Sequence, residues 1–200
     1  ASKESGIRTG AELSTLWLDE INQNFEPGSV KDWQNEIKFV AGNEAAKYSE
    51  IYEKRFSMNP KEGFQFLETE MEGKEPSFGY SVLVKILEET DDNIVITTNF
   101  DRLLEEAFFI YGKQRPLMIG HESLTAYIDI LIKRPLIAKI HRDILLHPKS
   151  RVDDIGELDK GWKESLDTIL KNRTPIVIGY GGNDGSLMNF LKDYKVSNGL

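Results

Sequence analysis

The stretch IVITTNFDRLLEEAF, residues 94–108, decides the fold. Ile94 to Thr98 is a short β-branched run, and from Asp101 the spacing changes to a helical stripe of Leu103, Leu104, Ala107, Phe108 and Tyr111. A strand that runs into a helix through Thr97-Thr98-Asn99 and Asp101 is one unit of an α/β fold. Taken alone, the polar junction reads as a helix cap, because Thr98-x-x-Asp101 has capping-box spacing and either side chain can accept from a free N–H at a helix start.

Working outward, Leu117 to Gly120, Leu136 to Ile140 and Ile176 to Tyr180 are further strand candidates. All four are continuous apolar runs and do not alternate, which suits strands covered on both faces in a parallel sheet. Helical patterns lie between and around them at 101–111, at 122–133 (Leu124, Tyr127, Ile128, Leu131) and at 157–172 (Leu158, Trp162, Leu166, Ile169, Leu170). The expected architecture is a doubly wound, Rossmann-like α/β fold.

Residues 11–90 differ. They give amphipathic segments near 13–25, 30–40, 44–56, 63–71 and 80–87, broken at Glu26-Pro27-Gly28, Asn59-Pro60 and Glu75-Pro76, with no convincing strand. This predicts a helical layer inserted into or packed on the sheet, within one domain spanning 1–200 and with the Rossmann-like core at 91–200.

Charge and composition narrow the function. With 25 Lys plus Arg against 33 Asp plus Glu, the net charge is −8, and no basic cluster offsets it, so direct nucleic-acid binding is not expected. The chain has no Cys and its three His are scattered, so the sequence offers no disulfide framework, no Cys-based metal site and no metal-ligand spacing; no metal is expected. No apolar run reaches membrane-spanning length and residues 1–6 lack a signal-peptide core, which predicts no membrane association and a cytoplasmic location.

In open parallel sheets ligands bind beyond the carboxyl ends of the strands, where helix amino termini point. Three strand candidates deliver polar groups there: Asn99 and Asp101; His141, Arg142 and Asp143; and Gly179 to Gly185. His141 alone reads equally well as a rim histidine bonded to a carbonyl, and His121 and His147 read as loop or cap residues. GYGGNDGSLMNFL, residues 179–191, could be only a turn capped by Asn183 or Asp184, although its glycines would also let backbone approach a phosphate or ribose.

In this order, the motifs resemble sirtuin-like NAD-binding domains, over nearly the whole chain. The resemblance is closer to the bacterial, Thoeris-type anti-phage defence branch than to the deacetylases, whose zinc module uses four cysteines. ASKESGIRTGAEL is similar to the end of a Gly-Ala-Gly-x-Ser loop, so the first strand and its Gly-Ala-Gly turn are expected to precede residue 1. ITTNFDRLLEEA matches a Thr-Thr-Asn-aromatic-Asp segment, AKIHRDI a Lys-x-His-Gly-Asp pattern with Arg142 in place of glycine, and VIGYGGNDGSLMNFL the closing Gly-aromatic-Gly-x-x-Asp segment.

The resemblance implies NAD as substrate, with Asn99 and His141 as the catalytic pair and Ser2, Thr98, Asp101, Gly179, Tyr180, Gly181, Asn183 and Asp184 around the dinucleotide. Asn99 would orient ribose or the attacking water, and His141 would act as base or ribose partner; histidine as a residue type, titrating near ~6.5, suits proton acceptance at neutral pH. The implied activity is an NAD glycohydrolase, within a homo-oligomer or a larger multidomain defence protein. The alternative is a non-catalytic NAD or ADP-ribose binding module. Arg142 leaves both open, since a long cation there could obstruct the crevice or pair with a pyrophosphate.

Overall fold

The computed structural model describes residues 2–128, 133–146, 148–150, 157–171 and 173–198, with side chains as far as Tyr194. Strands β1 (Ile94–Thr97), β2 (Leu117–Ile119) and β3 (Leu136–Lys139) form a parallel sheet in the order β1-β3-β2. Ile94 pairs with Leu136 and Thr97 with Lys139, while Leu117 also pairs with Leu136. The central strand β3 is buried throughout, its three apolar residues and Lys139 alike.

The period of two sorts the strand residues between two cores. On one face Val95, Met118 and Ile137 meet helix α5 (Phe78–Glu89) through Tyr80, Val84 and Leu87, and helix α6 (Leu103–Tyr111) through Leu103, Leu104, Ala107 and Phe108. On the other, Ile94, Ile96, Ile119, Leu136 and Ala138 meet Trp162, Leu166 and Ile169 of helix α7 (Lys160–Leu170) and Leu187 and Phe190 of helix α8 (Gly185–Asn198). Helices cover both faces, so the fold is doubly wound and Rossmann-like.

The amino-terminal part is helical: α1 (Gly10–Asn24), α2 (Pro27–Glu36), α3 (Tyr48–Arg55), α4 (Pro60–Met71) and then α5. Thr9 opens α1 with a capping box, its Oγ1 accepting from Glu12 N at 3.2 Å while Glu12 Oε2 accepts from Thr9 N at 2.8 Å. Pro27 and Pro60 start α2 and α4, where a missing N–H costs nothing. Trp17 is fully buried at the centre of this layer, with Tyr48, Tyr52, Phe56 and Phe66 at ring-centroid distances of 5.3–5.6 Å. Phe100 and Ile144, from the loops beyond β1 and β3, pack into the same cluster and join the layer to the sheet's carboxyl end.

Two expectations are corrected. Residues 122–127 form a 3-10 turn and not the start of an α-helix, with Thr125 Oγ1 donating to the Glu122 carbonyl at 2.9 Å; Leu131, expected on that helix, lies outside the described residues. Gly161 of α7 lies against this turn, where a Cβ would stand 2.4 Å from Thr125 Oγ1, so only glycine permits the approach. The expected strand Ile176 to Tyr180 is irregular, with Ile176, Val177 and Ile178 exposed at 84%, 66% and 75%. A strand needs a ladder partner for its N–H and C=O groups, and neither β1 nor β2 pairs with this run.

Hydrogen exchange measured by peptide mass spectrometry on residues 1–200 should therefore find amides 176–178 exchanging at nearly unprotected rates and β3 amides among the slowest. Protection of 176–178 equal to that of β3 would contradict this arrangement.

Candidate functional site

Because Thr97 lies opposite Lys139, Asn99 and His141 each sit two residues beyond the last paired position of adjacent strands, on one rim. A buried cation ties the two loops together. Lys139, 2% exposed, donates from Nζ to the carbonyls of Phe100 (3.1 Å) and Asp101 and to Asp143 Oδ2 (2.6 Å). A buried ammonium is tolerable only when paired and hydrogen-bonded, and these partners satisfy its three donors. Ile140 N donates to Thr97 O and Ile144 N to Phe100 O, both at 3.1 Å, so the loops are also stitched through backbone.

The loop after β1 places Asn99 at the surface and Asp101 in the interior. Asp101 caps α6, with Oδ1 accepting from Leu103 N at 3.1 Å. The other half of the expected cap is not Thr98, which is half-buried directly after β1; it is Thr97 whose Oγ1 accepts from Asn99 N at 3.1 Å and turns the chain. Asn99 Nδ2 donates to Ser2 Oγ (2.9 Å), and Ser2 Oγ donates to Asp101 Oδ2 (2.8 Å) and lies 3.0 Å from the Tyr80 hydroxyl. Ser2's hydroxyl is thus engaged by three side chains of the protein itself. Burial first, and Asp101's charge second, push the Tyr80 phenol up to about 12, so it keeps its proton at neutral pH.

Beyond β3, His141 is buried, with Nε2 3.0 Å from Asp184 Oδ2 and 3.4 Å from Ser186 Oγ. Asp184 also starts α8: its Oδ1 accepts from Ser186 N (2.9 Å), Ser186 Oγ (2.8 Å) and Leu187 N (3.2 Å). Burial alone would raise Asp184's carboxyl, but contact with His141, its charge, and the donations from Ser186 and Leu187 outweigh burial and hold it below the ordinary carboxylate range. One carboxylate therefore caps a helix with one oxygen and faces the histidine with the other. Gly179 and Gly182 have φ of +63° and +71°, the left-handed region open to glycine, and Gly181 and Asn183 are exposed. The hydroxyl of Tyr180 is buried beside Asp184, and among the described residues no side chain hydrogen-bonds it.

Arg142 takes the left-handed backbone too, at φ +69°, which is the physical reason a glycine suits this place in the motif. Its side chain is drawn to Glu122: Nε donates to Oε2 at 2.9 Å and a second guanidinium nitrogen bonds Oε1. The Arg142 hydrogen bond, against burial, lowers the Glu122 carboxyl from 4.5 to about 2. His121 caps the 3-10 turn beside it, with Nδ1 accepting from Ser123 N at 3.1 Å, as a cap histidine should; His147 lies outside the described residues.

A parallel sheet wrapped by helices on both faces, with polar side chains gathered beyond its carboxyl ends, defines the class of nucleotide-binding α/β folds. Residues 93–200 match the SIR2-like domain family, and the chain belongs to that family. No curated protein matches the chain. Membership implies that NAD is involved. The match takes in Asn99, Asp101, His141 and the 179–184 loop, and it leaves Ser2 and helices α1–α5 outside. Among the described residues, no group of three His, Asp or Glu side chains could hold a metal ion, and no helix is long and apolar enough to cross a membrane.

Sequence reasoning missed three contributors. Tyr80 reads as an ordinary core aromatic on a helical stripe, and Ser186 as a helix residue. Lys139 did carry a signal, being a charge inside the apolar run Leu136 to Ile140, which calls for a buried partner.

Two outcomes test this account. Arg142→Gly should be more stable than Arg142→Ala by about 1 kcal/mol in denaturant unfolding, the reverse of the usual Gly–Ala order, because both lose the Glu122 pair but only alanine keeps the left-handed strain; equal stabilities would remove the strain argument. A carboxyl depressed in the folded state adds stability above its unfolded pKa and loses it as pH falls, so Glu122→Gln should flatten the stability loss between about 4.5 and about 2. An unchanged acid limb would show that the pair contributes nothing.

Proposed function

We propose that this SIR2-like domain is an NAD glycohydrolase. Water adds across the bond between the nicotinamide nitrogen and the ribose C1′, giving nicotinamide, ADP-ribose and a proton. The observation that carries this reading is the pairing of Asn99 and His141 at equivalent places beyond adjacent strands, with His141 backed by the Asp184 carboxylate. An oxocarbenium-like transition state asks for little covalent chemistry from the protein; it asks that ribose and water be held and a proton accepted.

In this reading Asn99 orients ribose or water and His141 takes the proton, with Asp184 stabilising the imidazolium that forms. Tyr180, whose hydroxyl is buried beside Asp184, and the exposed backbone of Gly179 and Gly181 are suited to the polar parts of a dinucleotide. Thr98 and Asn183 complete the crevice edge. Arg142, turned to Glu122, neither needs to obstruct the crevice nor to serve the pyrophosphate. The biological role we propose is an anti-phage effector of bacterial cytoplasm that depletes NAD, acting as a homo-oligomer or as one domain of a larger defence protein.

The test is nicotinamide release from NAD by the full chain, including any polypeptide that precedes residue 1, compared with Asn99→Ala and His141→Ala. Each variant should lose roughly 10²–10⁴-fold in kcat, the usual share of acid–base and positioning groups. Tight NAD binding with no release in any oligomeric state would make the domain a binding module instead.

A further inference from the structure

The four-residue network around Ser2 contains a count of protons that fixes more than its distances. A serine hydroxyl has one proton to donate and two lone pairs to accept with. Ser2 gives its proton to Asp101 Oδ2 at 2.8 Å, because a carboxylate has none to offer. The Tyr80 hydroxyl, 3.0 Å from Ser2 Oγ, must then be the donor in their contact. The remaining lone pair of Ser2 accepts from Asn99 at 2.9 Å, and only the NH2 side of the amide can supply that proton. The reversed amide would set Oδ1 against an oxygen with no proton left, a repulsive contact.

We infer that Ser2, held between Asp101 and Tyr80, fixes the Asn99 amide with Nδ2 inward and the carbonyl oxygen Oδ1 outward, which makes Ser2 and Tyr80 positioning residues for the proposed hydrolysis. The inference rests on that reading for its catalytic consequence, and on the proton count alone for its geometry. An outward Oδ1 is an acceptor, so it orients a water or ribose O–H by receiving its proton. An outward NH2 would instead compete for the lone pairs a nucleophile needs.

Tyr80 gives this arrangement its anchor. It is 5% exposed, and its ring sits in the core that α5 shares with α6 and the sheet. Its hydroxyl keeps its proton at neutral pH and so remains a donor. The residue comes from the helical layer, outside the 93–200 match, so the layer supplies part of the site's alignment and is not merely a cover.

The experiment follows the Asn99 side-chain NH2 signals in the 15N-labelled full chain, assigned by their loss in Asn99→Ala, together with nicotinamide-release kinetics. In the wild type the amide proton held by Ser2 should exchange more slowly than its geminal partner. Ser2→Ala should collapse that protection and lower kcat about tenfold with KM little changed; Tyr80→Phe should shift the signals and lower kcat a few-fold, as loss of one hydrogen bond implies. Ser2→Thr, which restores the hydroxyl, should recover most of both losses. Unchanged Asn99 signals in a folded Ser2→Ala protein would overturn the inference, and so would a rise in KM at constant kcat, which would make Ser2 a substrate contact. If the wild type releases no nicotinamide, the hydrolase reading fails, while the amide signals still decide the orientation.

Discussion

The buried ammonium of Lys139 organises the carboxyl end of this sheet. An apolar strand carries it into the interior, where an unpaired charge would be prohibitively costly. Its demand for partners pulls in the Phe100 and Asp101 carbonyls from one loop and the Asp143 carboxylate from another. Asn99 and His141 flank these anchored segments. Strand register puts them on a common rim, and a side chain that bonds neither of them ties their loops together.

The helical layer is attached at this same end. Phe100 and Ile144 enter its aromatic cluster around Trp17, and Tyr80 reaches Ser2, which in turn meets Asn99 and Asp101. Packing and polar contacts thus converge on the loops beyond β1 and β3. A disturbance of the layer would reach the site through those loops and through Tyr80, which among the described residues is the layer's polar contribution to the Ser2 network.

Carboxylates do double duty here. Asp101 and Asp184 each start a helix with one oxygen and hold a site side chain with the other, directly for His141 and through Ser2 for Asn99. Cap and site are therefore not competing readings of these residues. A carboxylate has two oxygens, and a helix amino terminus at the rim occupies only one. Arg142 shows the opposite economy: its backbone takes a conformation suited to glycine, and its side chain is turned aside by Glu122.

Much of this was legible in the linear chain. The runs at 94–97, 117–119 and 136–139 announce strands of a parallel sheet because strands covered on both faces are mostly apolar and do not alternate, and the polar residues after them mark the rim because chain direction fixes which end is the carboxyl end. Thr9 and Glu12 declare a helix start within four residues. Local rules of this kind depend on neighbours in sequence. The run Ile176 to Ile178 has the same composition as the strands yet lies exposed, since a strand exists only when another strand takes up its hydrogen bonds. Likewise Thr97, not Thr98, makes the turn, and Tyr80, far from any motif, aligns Asn99 through Ser2. Those choices were made by tertiary structure, because the partners that satisfy a buried proton or an unpaired edge come from parts of the chain that sequence spacing does not relate.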